Sequence, residues 1–145
     1  VCSHFVTLAI VVAAPGPKGD KPPAPDLYGE WQFVSTEEEG KIFPAEDPPT
    51  RFRFNRDGTY EVFRGGNAVA ERRGFRFDPK ADPPTLDYNA PPSPASPTLL
   101  CVYRLSGDEL TVCRAGPDQP RPAKFQAPAG SGLLVVKFRR VKPDK

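Results

Sequence analysis

Prolines punctuate this chain densely enough to argue against long helices. Twenty prolines and twelve glycines occur in 145 residues, and each proline removes a backbone donor and breaks a helix interior. What remains is a series of short segments. From Leu27 onward these alternate apolar and polar residues with period two, the repeat of a strand with one face buried.

The stretch Tyr28-Gly29-Glu30-Trp31-Gln32-Phe33-Val34 opens this pattern and carries the single tryptophan. Trp31, Phe33 and Ser35 are expected on one face of a first strand that ends in the polar turn Glu37-Glu38-Glu39-Gly40. Arg51-Phe52-Arg53-Phe54 and Tyr60-Glu61-Val62 alternate on either side of Asn55-Arg56-Asp57-Gly58, and Asp-Gly between alternating segments signals a hairpin. Segments 73–77 and 85–88 repeat the scheme, before a Pro/Ser/Ala loop over 90–97 interrupts it. A further hairpin pairs 99–105 with 110–114 around Ser106-Gly107-Asp108-Glu109. Phe125 is read as a short strand between proline-rich loops, and 133–140 closes the series. Roughly eight or nine short strands with no amphipathic helix predict an all-β sandwich or barrel. Consecutive hairpins favour an antiparallel up-and-down β-barrel of about eight strands, which leaves no exposed sheet edge.

Three regions are expected. Residues 1–14 hold an uncharged apolar run ending in Ala13-Ala14. It is shorter than the ~20 residues that span a bilayer and has the length of a signal-peptide core with a small-residue cleavage site. No Lys or Arg precedes it, so a buried first strand is the alternative; a fragment, or a start codon rendered as Val1, would explain the missing basic residues. Residues 15–26 form a proline-rich linker, extended and semi-rigid. Residues 27–142 form the barrel domain. An exported protein is expected, whether periplasmic, envelope-bound or secreted. Its mature chain would have no transmembrane helix and would be a monomer.

Gly29-Glu30-Trp31 resembles the Gly-x-Trp motif of lipocalins. In that family the tryptophan plugs the closed end of the barrel and packs against an arginine from the last strand. Arg140, on the face of Leu134, Val136 and Phe138, is the implied partner, or Arg139 if a bulge shifts the register. The wider set covers 27–142. It comprises Phe52-x-Phe54 with Asp57-Gly58-Thr59-Tyr60, Tyr103-x-Leu105-x-Gly107-Asp108-x-Leu110, Cys113, Arg121-Pro122 with Phe125, and the ending Arg140-Val141-Lys142. Together these resemble a family of small lipocalin-like domains abundant in planctomycete bacteria, whose function is itself uncharacterised. The resemblance implies a fold and an exported location, not an activity. Cys101, where small residues are commoner, and the proline-rich middle loop depart from it.

Chemistry-bearing patterns are few. His4 is the one histidine, and cleavage of the leader would remove it. Ser-His-Asp and Cys-His arrangements and histidine-ligated zinc are then excluded. Arg64-Gly65-Gly66-Asn67 lacks the Lys-Ser/Thr and helix of a phosphate loop and reads as a hairpin turn. Glu37, Glu38 and Glu39 alternate sides, and Asp57 and Asp108 are explained by their turns. If Leu105 pairs with Leu110, Cys101 and Cys113 fall on opposite faces; a one-residue change of register would oppose them and allow a disulfide. Neither an enzyme, a metal site nor a cofactor is expected.

Arg51, Arg53, Arg56, Arg72, Arg73 and Arg76 interleave with aromatics, as in single-strand nucleic-acid binders. Strict alternation instead puts the aromatics in the core and the arginines in water. With a net charge of +2 and a pI near 8.5, no nucleic-acid partner is expected. The interior is expected to be lined by Phe33, Phe52, Phe54, Tyr60, Val62, Phe75, Phe77, Leu86, Tyr88, Tyr103 and Val136. Such a barrel binds one small apolar or amphipathic molecule or is filled by its own side chains. So many inward aromatics lean towards a filled core, which would suit an envelope-associated interaction or structural module with a protein partner and no ligand.

Overall fold

The computed structural model describes residues 26–90 and 97–142. The expected leader with Cys2 and His4, nearly all of the expected linker, and most of the 90–97 loop lie outside the described residues. Alternating sequence yields ten strands and, among the described residues, no helix: β1 Gly29–Glu38, β2 Lys41–Pro44, β3 Thr50–Phe54, β4 Thr59–Arg64, β5 Asn67–Ala68, β6 Arg73–Asp78, β7 Thr85–Ala90, β8 Leu99–Ser106, β9 Glu109–Arg114 and β10 Leu134–Arg140.

Eight of these close into a ring. The order β1-β3-β4-β6-β7-β8-β9-β10 is antiparallel throughout, and β10 returns to pair with β1. The protein is an up-and-down, lipocalin-like β-barrel. β2 and β3 lie along the same edge of β1, β2 against its second half and β3 against its first. They are two parts of one return strand, interrupted over 45–49, where Pro48 and Pro49 supply no ladder donors.

The first strand departs from simple alternation. Its pairing with β10 shifts between Phe33 and Ser35, and the extra residue, Val34, accepts a hydrogen bond from the Ala45 amide at 2.9 Å. A bulge of this kind re-aims the side chains beyond it. Thr36 therefore joins Phe33 at the interior cavity, and Ser35 does not share the Trp31 and Phe33 face as alternation alone predicts.

Phe125 is not in a strand. Pro117, Pro120, Pro122 and Pro128 deprive the β9–β10 connection of regularly spaced donors, so it docks through side chains on the outside of the barrel. Ala127 packs with Val102, Cys113 and Val135, and Phe125 and Leu133 lie against them. The Arg104 guanidinium sits 4.8 Å from the Phe125 ring centre, and the Gly40 amide donates to the Ala127 carbonyl at 2.8 Å.

Trp31 is fully buried and lies directly opposite Arg140 on β10. Its indole N–H donates to the Leu27 carbonyl at 2.9 Å. The Arg140 guanidinium lies 4.2 Å from the indole centre and donates to the Tyr28 and Asp26 carbonyls at 3.0 and 2.8 Å. Gly29, at φ +111°, would be strained with a side chain, and its open side faces Arg140 Nη1. These contacts seal one end of the barrel.

Leu105 does pair with Leu110, which sets Cys101 opposite Arg114 and Cys113 opposite Val102. Cys101 points into the barrel core and Cys113 into the outer cluster; both are buried free thiols. Burial pushes the Cys113 thiol up, and pushes Cys101 to about 12 from 9.0. Cys101 is thus held as the unreactive thiol at pH 8. Iodoacetamide is expected to leave both unmodified in the native protein at pH 8 and to alkylate both after denaturation. Rapid native alkylation of Cys101 would contradict its burial.

Candidate functional site

Inward side chains differ in size along the barrel axis. Towards the sealed end, Tyr28 packs edge-on against Phe75 and Phe77, Phe77 meets Tyr103, and Phe54 lies 4.9 Å from Phe75. These rings fill that half. Towards the other end the inward positions include Thr36, Thr50, Val62, Val112 and Val136, which leave a cavity of about 350 Å³.

Of the expected lining, Phe33, Phe52, Tyr60, Val62, Tyr88 and Val136 face this cavity. Phe54, Phe75, Phe77 and Tyr103 lie in the core beneath it, together with Leu86. The floor is aromatic: Phe52 stands 5.2 Å from Phe138 and 6.1 Å from Tyr60, and Tyr60 5.3 Å from Tyr88. Phe43 is half-exposed beside the mouth, on the inward side of β2, opposite Thr36.

One group of polar side chains in the wall is built around Asn89. β7 carries an irregularity where Gly74 pairs with Ala90 and Phe75 with Tyr88, leaving Asn89 as the extra residue. Asn89 adopts φ +57°, a conformation short polar side chains tolerate, and this turns its amide into the cavity. Its Oδ1 accepts the Tyr60 hydroxyl at 2.8 Å and meets Arg73 Nη1 at 3.5 Å, while Nδ2 donates to the Pro97 carbonyl at 3.3 Å.

Arg73 also corrects the expectation that every interleaved arginine lies in water. It pairs with inward-facing Tyr60 across β4 and β6, and it lines the cavity. Arg114 does the same from β9, opposite Cys101 and Leu134. The others stay outside and pair there: Arg51 and Arg53 with Glu30, Arg72 with Glu61, Arg76 with Asp87. Burial raises the Tyr60 phenol, opposed first by Arg73 and then by Arg114; burial raises Tyr88 well above the ordinary value. Both phenols are therefore neutral donors through physiological pH.

Among the described residues no Asp or Glu lines the cavity. Among the described residues no group of three or more His, Cys, Asp or Glu is arranged to hold a metal, and no helix is long and apolar enough to cross a membrane. Comparison with protein families, curated proteins and solved structures returns no match to this chain.

Proposed function

We propose that this chain is an exported, non-catalytic binding protein that holds a small apolar or amphipathic molecule in the open half of its barrel. The observation that carries this reading is the cavity of about 350 Å³ at the end away from Trp31. It falls within the ~300–1,000 Å³ typical of small-molecule sites and has the usual apolar lining with a few convergent polar groups. Export rests on the apolar run in 1–14, and kinship with small lipocalin-like domains rests on the motif set around Trp31 and Arg140.

A non-catalytic role has a physical basis. The ionisable groups lining the cavity among the described residues are arginines and tyrosines, with no His, Asp, Glu or Lys to serve as a general acid or base poised near 7. A filled barrel, the premise of an envelope interaction module, has less support because the filling stops halfway. The closed ring leaves no full-length strand edge for a second copy to extend, which favours a monomer.

The neutral fluorescent probe N-phenyl-1-naphthylamine tests the reading. The protein is expected to bind one equivalent with a blue shift. Val136→Trp, which places an indole in the cavity, is expected to weaken binding by more than about tenfold while the fold is retained. Undiminished binding by a folded Val136→Trp protein would place the probe elsewhere and remove the basis of the proposal.

A further inference from the structure

Charge in the cavity is one-sided. Seven arginines of the barrel and its strap, Arg51, Arg53, Arg56, Arg64, Arg72, Arg76 and Arg121, each stand within 4.0 Å of a carboxylate. Arg140 is engaged by backbone carbonyls and the Trp31 ring, and Arg104 and Arg139 are exposed. Arg73 and Arg114 differ. Both are half-buried, both line the cavity, and neither has an acidic partner among the described residues. Two guanidinium groups thus share a largely apolar cup in which, among the described residues, no carboxylate lines the wall.

A charge removed from water without a partner is costly. The cost falls if an anion arrives with the ligand, because guanidinium matches carboxylate geometry and binds it bidentately. Both groups line the same cavity, Arg73 from β6 and Arg114 from β9, and Arg73 Nη1 lies 3.5 Å from Asn89 Oδ1. Asn89 fixes the Tyr60 hydroxyl by accepting its hydrogen bond through Oδ1. Beside these groups the lining includes Phe52, Val112, Val136 and Phe138, which suits an alkyl chain.

Resting on the cavity-binding reading above, we propose that the molecule held there is an amphipathic carboxylate, its head group received by Arg73 and Arg114 and its acyl chain directed onto the Phe52, Phe138 and Val136 floor. The neutral Asn89 and Tyr60 position the head group, and the uncharged floor sets a limit on chain length.

Isothermal titration of the full chain with decanoate, decanol and decylammonium tests this. Decanoate is expected to bind at least about tenfold tighter than decanol, the worth of one or two charge-assisted hydrogen bonds, and decylammonium weakest. Affinity within the carboxylate series should rise about fourfold per methylene until the cup is full. R73Q and R114Q should each reduce decanoate affinity about tenfold, and the double variant should abolish the preference over decanol. Equal binding of decanoate and decanol by the unaltered protein would overturn the carboxylate assignment and leave the binding function standing. A preference that survives in the folded double variant would overturn the role of the two arginines. Binding of none of the three probes would overturn both proposals. The acid-to-alcohol comparison uses the unaltered protein, so it decides the question even if a variant fails to fold.

Discussion

Trp31→Ala is expected to destabilise the protein by ~3–5 kcal/mol, the range for removing a large buried aromatic. The indole is fully buried, so its deletion leaves a void at the sealed end. It also removes the donor to the Leu27 carbonyl and the surface beneath the Arg140 guanidinium. Arg140 would still reach the Asp26 and Tyr28 carbonyls, but without the ring that fixes its position. The damage should spread to Tyr28, whose ring packs on Phe75 and Phe77. Equilibrium urea unfolding followed by circular dichroism measures the loss. A change below ~0.5 kcal/mol, the size expected of a surface substitution, would contradict a sealing role for Trp31.

Asp87→Ala is expected to produce the second large effect, about 1.5–3 kcal/mol. Asp87 sits on the outer face of β7 with only 5% of its surface exposed. Arg76 Nη2 lies 3.1 Å from one carboxylate oxygen, and Arg121 Nη1 lies 2.7 Å from the other while donating to the Cys101 carbonyl at 2.7 Å. Arg121 belongs to the proline-rich β9–β10 connection, so this carboxylate ties that connection to the barrel wall. Removing it leaves two cations side by side without their anion. The cost stays below the ~3–5 kcal/mol of a wholly buried pair, because the arginine side chains retain 65% and 30% exposure and recover some hydration. Limited proteolysis gives a second readout: the variant should be cut faster within 115–133. An unchanged cleavage rate and unchanged stability would show that the Phe125 and Ala127 contacts hold the connection unaided.

Period two was sufficient to identify the barrel strands because their inward residues are large and their outward ones charged, as in Arg51-Phe52-Arg53-Phe54. β2 escaped it. Lys41-Ile42-Phe43-Pro44 is exposed along its whole length and ends in proline, so it carries no one-sided pattern. The bulges at Val34 and Asn89 were also illegible, since an inserted residue changes the face of its neighbours without changing any residue type.

The cavity was hidden for a related reason. A count of inward aromatics says nothing about where they fall along the axis, and here Phe54, Phe75, Phe77 and Tyr103 gather at the Trp31 end. Arg73 and Arg114 were within reach of the same rule. Arg73 has the parity of Phe75 and Phe77, and Arg114 that of Leu110 and Val112. The pattern of interleaved arginines groups Arg73 with Arg51 and Arg53, whose parity is the opposite one, and no motif singles out Arg114.

Native mass spectrometry of the full chain, produced in an exporting host and examined before and after incubation with decanoate, is the most direct test of the cavity as a binding site. The account predicts a one-to-one small-molecule adduct, present on purification or formed on incubation, that disappears when the protein is unfolded. A bare protein mass under both conditions would contradict it.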